Sequence, residues 1–196
     1  MSGSRAMSHF QGEEAWLEPL LRKLRYRRVR RRIPENSSVL DIGCGFDAHF
    51  LHHIKDHIDG GVGIDLVINE ENNDPLVKMV KHNANEPFPF EADSFDVVVS
   101  MANLEHLDAP QAALKEIHRA LRPGGRLIMT VPSTYAKPVL EFLSFKVGIV
   151  SEEEIADHKM YFNKKMLQQL LEQAGFSNIN HRYFQIYMNN FVEAVK

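Results

Sequence analysis

The sequence predicts a doubly wound α/β fold, a seven-stranded and mostly parallel sheet flanked by helices and finished by an antiparallel edge strand. Three observations predict it. Short β-branched runs alternate with helical patterns from Ser38 to Val131, the order produced when parallel strands return through crossovers. The first of those runs, Ser38 to Ile42, breaks abruptly into Gly43-Cys44-Gly45, as a buried strand does when it ends in a tight turn. The last two runs, 176–184 and 187–195, are too close for a crossover and pair as a hairpin.

With 196 residues, 44% of them hydrophobic, the chain supports one domain with a substantial core. Met1 to Ala6 reads as an added remnant, with Met7 as the natural start, and takes no part in the functional reading. Leu17, Leu20, Leu21 and Leu24 recur at helical spacing, so residues 1–34 are expected to contribute a basic amphipathic helix that Pro34 ends. Residues 35–196 form the domain proper, with an apolar insertion at 132–162. Residues 22–32 hold eight of the 23 Lys and Arg, although the net charge is −3. One basic segment on an acidic body suits either a solvated helix face or local contact with an anionic surface, such as a membrane met through Arg22–Arg32. It does not suit a broad nucleic-acid groove. The apolar stretch from Val139 to Val150 is interrupted by Glu141, Lys146 and Gly148, which excludes a bilayer span there. The lone Cys44 cannot form an internal disulfide, and no secretory pattern opens the chain, so a cytoplasmic location, peripheral to a membrane if the Arg run docks there, is expected.

Along the chain, Ala48 to His57 reads as a helix with Asp47 as its N-cap. His49, His53 and His57 share one side of it, with His52 beside them; a metal site would need a carboxylate or further ligand to converge on them, a solvent-facing side is the simpler account, and no metal site is assigned. Gly61 to Asp65 and Leu76 to His82 are strands two and three, joined by a polar link where a crossover helix would ordinarily lie. Phe95 to Met101 is a strongly β-branched central strand. Gln111 to Leu121 is a helix that Arg122-Pro123-Gly124-Gly125 ends, and Arg126 to Val131 is the fifth strand. Asn163 to Ala174 is a late helix closed by Gly175. The apolar residues of 139–150 suit a satellite helix on the core or an apolar lid over the site.

The glycine turn is where chemistry is expected. Without a Cβ at Gly43 and Gly45, a ligand can lie directly on the backbone, and Asp65, about twenty residues on, ends the second strand with a carboxylate suited to the two hydroxyls of a ribose. An adenosine-containing cofactor follows. Gly43-x-Gly45-x-x-Ala48 also satisfies the loose dinucleotide pattern, but Asp41 and Asp47 would repel a pyrophosphate and attract a sulfonium with its attached amino group.

These residues resemble the class I S-adenosylmethionine-dependent methyltransferases. The resemblance lies in an ordered set, VLDIGCG, GVGID, PFPFEADSFDVVVS, LEHL and EIHRALRPGGRLIMTVPS, resumes at LLEQAGF, and covers about two-thirds of the chain. It is similar to the branch that methylates small molecules, lipids and glycans, and it implies a Rossmann-like methyltransferase fold with S-adenosylmethionine as cofactor and S-adenosylhomocysteine as product. It implies that Gly43 and Gly45 pass under the methionine and ribose, that Asp41 helps hold the amino end, and that Asp65, with Leu66 beside it, takes the ribose hydroxyls. Asn83 stands where the family commonly has an aspartate for the adenine amino group, Ala84 would offer its backbone amide to the ring, and Met101 and Leu104 would wall the cofactor. Two departures stand out: Asp47 replaces a frequent third glycine, and the second crossover lacks its helix.

Methyl transfer is an in-line displacement at an activated carbon, so placement of the acceptor and exclusion of water matter most. For a hydroxyl acceptor, His106 just past the fourth strand is the first candidate base, ahead of His158, Tyr135 and Tyr161. The expected reaction is methyl transfer to an oxygen or nitrogen of a small molecule, lipid or glycan. The alternative is a catalytically retired cofactor-binding or membrane-associated protein. Nucleic-acid methylation is not favoured, because the chain lacks an Asn/Asp-Pro-Pro-Tyr/Phe grip and its only cysteine lies in the cofactor turn. An NAD-dependent oxidoreductase is disfavoured by Asp41.

Overall fold

The computed structural model describes residues 18–72, 74–136 and 159–196. Among these, strands β1 (Ser38–Ile42), β2 (Gly60–Asp65), β3 (Val77–Lys81), β4 (Phe95–Met101), β5 (Leu121–Pro132), β6 (Ser177–Phe184) and β7 (Asn189–Val195) form one sheet in the order β3-β2-β1-β4-β5-β7-β6. The first five run parallel. β7 reverses direction against β5 and pairs antiparallel with the edge strand β6, so the expected antiparallel edge is a hairpin with its reversed strand on the inside.

Two apolar layers hold helices on opposite faces. Leu40, Ile42, Val98, Leu127 and Met129 face helices α3 (Pro110–Ala120) and α4 (Lys164–Gln173) through Leu114, Ile117, Leu167 and Leu171. Val39, Val97, Val99 and Ile128 face α1 (Glu18–Arg30) and α2 (His49–Ile54) through Val29, Phe50, Leu51 and Ile54. This alternation along each strand is the period of two that a sheet covered on both faces requires. No helix among the described residues is long and apolar enough to cross a membrane.

Several local expectations change. α1 leaves two of its leucines outside: Leu20 is 53% and Leu24 48% exposed, Leu21 is partly buried, and the helix seats through Val29 and the partly buried Tyr26, followed by Ile33. Asp47 does not cap α2. The N-cap position is Ala48 at φ 47° with no side-chain cap, while Asp47 Oδ1 accepts from Asn69 Nδ2 at 2.9 Å. α2 ends at Ile54, so His57 lies beyond it and donates to the Ile33 carbonyl at 2.8 Å, and His52 meets Asn72 at 2.6 Å. Among the described residues no three His, Cys, Asp or Glu side chains converge on a metal position. α3 gives way at Leu121, which already pairs with Phe95, and β5 resumes its parallel register at Arg126 after the turn through Gly124 at φ 77°. α4 is capped by Asn163, whose side chain accepts from Met166 N at 2.9 Å, and is stopped by Gly175 at φ 100°. The apolar stretch 139–150 and His158 lie outside the described residues.

Candidate active site

The carboxyl ends of β1, β2 and β4 meet around the glycine turn. Gly43 N and Cys44 N both donate to the Ile64 carbonyl, at 2.9 and 3.2 Å, which folds the end of β1 across to β2. Gly43 has φ 75°, and a Cβ there would sit 2.7 Å from Cγ and Oδ1 of Asn103. Its glycine is required twice, by the backbone angle and by the asparagine packed on it. Gly45, also at φ 75°, has nothing within 4 Å of where a Cβ would stand, so this part of the turn borders open space.

Asp65 closes the turn. Its Oδ2 accepts from Gly45 N at 2.9 Å and its Oδ1 from Leu66 N at 2.7 Å. Each carboxylate oxygen retains acceptor capacity for a further donor. Beneath, Asp41 is buried on β1, and neither carboxyl oxygen has a hydrogen-bond partner among the described residues. Burial, then the nearby negative Asp65, push its pKa up to about 7. The same two carboxylates, after burial, push the Cys44 thiol upward, which removes it as a nucleophile.

Beside Asp41, two polar atoms at this end of the sheet have no hydrogen-bond partner among the described residues: Asn103 Nδ2, buried in the loop after β4, and Thr130 Oγ1, buried near the end of β5. Together with Asp41 they line up at the carboxyl ends of three neighbouring strands. A buried carboxyl without a donor, two unsatisfied polar groups and an open glycine turn fit a cationic ligand that brings its own hydrogen-bonding atoms. From sequence Thr130 was not singled out, and Asn103 stood only as the first residue of the stretch Asn103–His106 past the fourth strand, where a catalytic or lid residue was expected. The only signal was position, since each lies at the carboxyl end of a parallel strand, where ligands of open α/β sheets collect.

The other predicted residues are distributed around this centre. Asn83 follows β3, and its Oδ1 accepts from Asn85 N and Nδ2 at 3.1 and 3.2 Å, so its oxygen is engaged within its own turn. Ala84 packs partly buried on the core, Met101 packs against the α1–α2 side, and Leu66 is an exposed rim residue. Leu104 does not wall the turn; it is buried in the core on the α3 side. Asn103 leads into a 3-10 turn, Leu104–His106, so the backbone that packs on Gly43 also carries His106. The His106 side chain is 11% exposed, with Nε2 3.9 Å from Oε1 of the fully buried Glu105. Lys159 N donates to the Glu105 carbonyl at 3.0 Å, which ties the later chain to this turn. Tyr135 is exposed on the same rim and stacks edge-on against Tyr183 and Tyr187.

Comparison with known proteins agrees with the fold. The profile of the methyltransferase-domain family matches residues 13–181. Demethylmenaquinone methyltransferase of Staphylococcus saprophyticus is 25% identical over 198 residues, 89% of this chain and 82% of that protein. A SAM dependent methyltransferase from Archaeoglobus fulgidus shares the fold with a TM-score of 0.68 at 20% identity, covering 89% of this chain and 94% of that one. Phosphoethanolamine N-methyltransferase 2 of Haemonchus contortus, solved in complex with S-adenosyl-L-methionine, gives a TM-score of 0.68 at 18% identity over 90% of this chain and 52% of that one. With the family profile spanning most of the chain and the seven-stranded order in place, the protein belongs to the class I S-adenosylmethionine-dependent methyltransferases.

Proposed function

We propose that this methyltransferase acts on an oxygen or nitrogen of a small molecule, lipid or glycan, with His106 as the general base. The observation that carries this is the placement of His106: it closes the turn whose Asn103 packs on Gly43, so one short segment both touches the cofactor cradle and holds a largely enclosed imidazole. S-adenosylmethionine supplies the activated methyl group. Asp41 and the Gly43–Gly45 turn would hold its methionine end, with the Asp41 carboxylate facing the ammonium. Asp65 would take the ribose hydroxyls while it keeps Gly45 in place, and Leu66 and Met101 would flank the sugar. Asn83 would reach the adenine amino group only by exchanging its Asn85 contact, whereas Ala84 would serve the ring through its backbone. At the acceptor, His106 would remove the proton that leaves as the new bond forms, and the Glu105 carboxylate beside it would steady the imidazolium.

A ring carbon of a hydroxylated aromatic acceptor is the second assignment. It is favoured by the relative named for demethylmenaquinone, and the same base would serve by taking the ring hydroxyl proton. The phosphoethanolamine enzyme, whose name specifies a nitrogen acceptor, supports the first.

Calorimetric titration with S-adenosylhomocysteine, run beside NAD and beside Asp65→Ala, tests the cofactor roles. Wild type is expected to bind S-adenosylhomocysteine and not NAD, and the variant to lose at least about tenfold, since both the ribose acceptor and the Gly45 anchor disappear. Transfer of a ¹³C-methyl to amine, hydroxyl and hydroquinone acceptors then assigns the atom by carbon chemical shift. His106→Gln is expected to lower kcat roughly 10²- to 10⁴-fold with unchanged S-adenosylhomocysteine affinity; an unchanged kcat would remove His106 from the chemistry.

A further inference from the structure

We propose that the outward stripe of α1 and the adjoining β6–β7 turn form a docking surface for an anionic lipid bilayer. Leu20, Leu24 and Arg27 follow one another at i, i+4 and i+7 on a single side of the helix, and Arg31, in the turn just past its end, continues the line through its amide hydrogen bond to the Arg27 carbonyl at 3.4 Å. That side lies opposite Tyr26 and Val29, the residues that seat α1 on the sheet. The helix and the turn after it therefore present two leucines and then two arginines outward, with the leucines about half exposed.

The β6–β7 turn extends the apolar end of this stripe. Gln185 Nε2 donates to the Leu21 carbonyl at 3.3 Å, which ties the turn to the start of α1. Next to it Ile186 is 92% and Tyr187 62% exposed. Ile186 has φ 54°, a left-handed conformation that a β-branched side chain adopts at a cost, and it packs on nothing that would offset it. A strained, outward-pointing isoleucine has no use in the core and has one at an interface.

The arginines extend the polar end. Between α1 and the hairpin runs a groove of about 460 Å³ lined by Leu24, Arg27, Arg28, Arg31, Arg182 and Phe184, among others. The Arg28 guanidinium lies 5.2 Å from the Phe184 ring and 5.6 Å from the Phe191 ring, and Arg32 is 3.7 Å from Glu193. Arg27, Arg31 and Arg182 are exposed and meet no carboxylate at ion-pair distance among the described residues. An apolar tip beside a band of unneutralised guanidinium groups matches the layering of a bilayer surface, with acyl boundary inside and phosphates outside. Nucleic acid fits less well: the two ring faces in the groove are taken by Arg28, and a phosphate backbone has no use for Leu20, Leu24 and Ile186. The turn stands at the carboxyl end of the sheet, where Phe184 pairs with Asn189 and Asn189 with Pro132, which is the end that carries the glycine turn. Docking would bring the active-site mouth to the membrane surface, whichever acceptor atom is used.

Co-sedimentation of the full chain with vesicles of phosphatidylcholine alone and of phosphatidylcholine mixed with phosphatidylglycerol tests this. Pelleting is expected with the anionic vesicles only, weakening as salt rises. Reversing three charges together, Arg27→Glu, Arg31→Glu and Arg182→Glu, is expected to lower vesicle binding at least about tenfold. Ile186→Asn, a residue that accepts the left-handed angle, is expected to lower it severalfold with the turn intact. Both variants are expected to bind S-adenosylhomocysteine as wild type does, so failure of docking and failure of the cofactor roles are separately visible. Equal pelleting with neutral vesicles, or undiminished binding by the charge-reversed variant, would overturn the proposal. So would capture of duplex RNA without vesicle binding, or a dimer that Leu24→Ser disperses and that ignores vesicles.

Discussion

Asp41 is the residue on which the proposed cofactor role and stability meet. Its folded pKa of about 7 stands above its ordinary 3.8, because burial and Asp65 both oppose the charge. Folding therefore favours the protonated form. The sign follows: the cost of Asp41 to stability is absent below about pH 4, grows as pH rises through the interval, and is complete above about pH 7. Asp41→Asn is expected to stabilise the ligand-free protein on the order of a few kcal/mol at pH 8 and hardly at all at pH 4, as read by denaturant midpoints at both pH values. A ligand ammonium needs the ionised form. Wild-type affinity for S-adenosylhomocysteine should then fall by up to about tenfold per unit as pH drops below 7, while the asparagine variant binds weakly with no such slope. A sloping profile in the variant would place the titrating group elsewhere.

At the scale of single elements, α1 shows where a pattern read from sequence stops short. The leucine spacing correctly marked a helix, yet the face it named is the outward one. A periodic stripe reports that a side is apolar, not that a partner covers it, and only the sheet beneath decides that Tyr26 and Val29 are the contact. Val29→Ala is accordingly expected to cost about 2 kcal/mol through the cavity left against the α2 side of the core, and Leu20→Ser about 0 to 0.5. Equal losses in thermal or urea unfolding would return the leucines to the core. The strands were far more legible, because β-branched runs flanked by glycine and proline have few alternatives once they alternate with helices. The glycine turn was legible for the same reason: Gly43 and Gly45 adopt positive φ, and Asp65, whose carboxylate takes the Gly45 amide, follows at the distance one crossover imposes. Asn103 was hidden, because its importance lies in a contact with Gly43 sixty residues away that no local spacing records. Asp47 misled because capping preference is local, and the competing Asn69 donor arrives from the abbreviated link after β2.

For the molecule as a whole, the question is how the reversed hairpin is held to a parallel sheet so that the carboxyl rim stays in one piece. Backbone pairing of β7 with β5 supplies the ladder, and at the rim end Ser133 donates to the carbonyls of Tyr187 and Met188 while one buried asparagine reaches furthest. Asn190 on β7 donates through Nδ2 toward the carbonyls of Val131, Pro132 and Phe162, at 3.3, 3.3 and 3.0 Å, and its Oδ1 accepts from His181 Nε2 at 2.7 Å. One residue thereby joins β5, β6, β7 and the chain that returns at Phe162 beside Ser133. Its removal strips these carbonyls of a shared side-chain donor and leaves the partly buried His181 imidazole without its acceptor, while the Pro132 and Phe162 carbonyls keep the amides of Phe162 and Thr134. Asn190→Ala is expected to destabilise by about 2 to 4 kcal/mol. The loss should also be uneven. Amides of β6, β7 and residues 133–136 should exchange through a subglobal opening, while β1 and β4 exchange only with global unfolding. Hydrogen exchange of the variant below its unfolding midpoint distinguishes the cases. A uniform rise across all strands would mean that the hairpin is an inseparable part of one cooperative sheet, whereas a rise confined to the hairpin and the Ser133 segment would identify Asn190 as the latch that keeps the hairpin attached to the parallel half of the sheet.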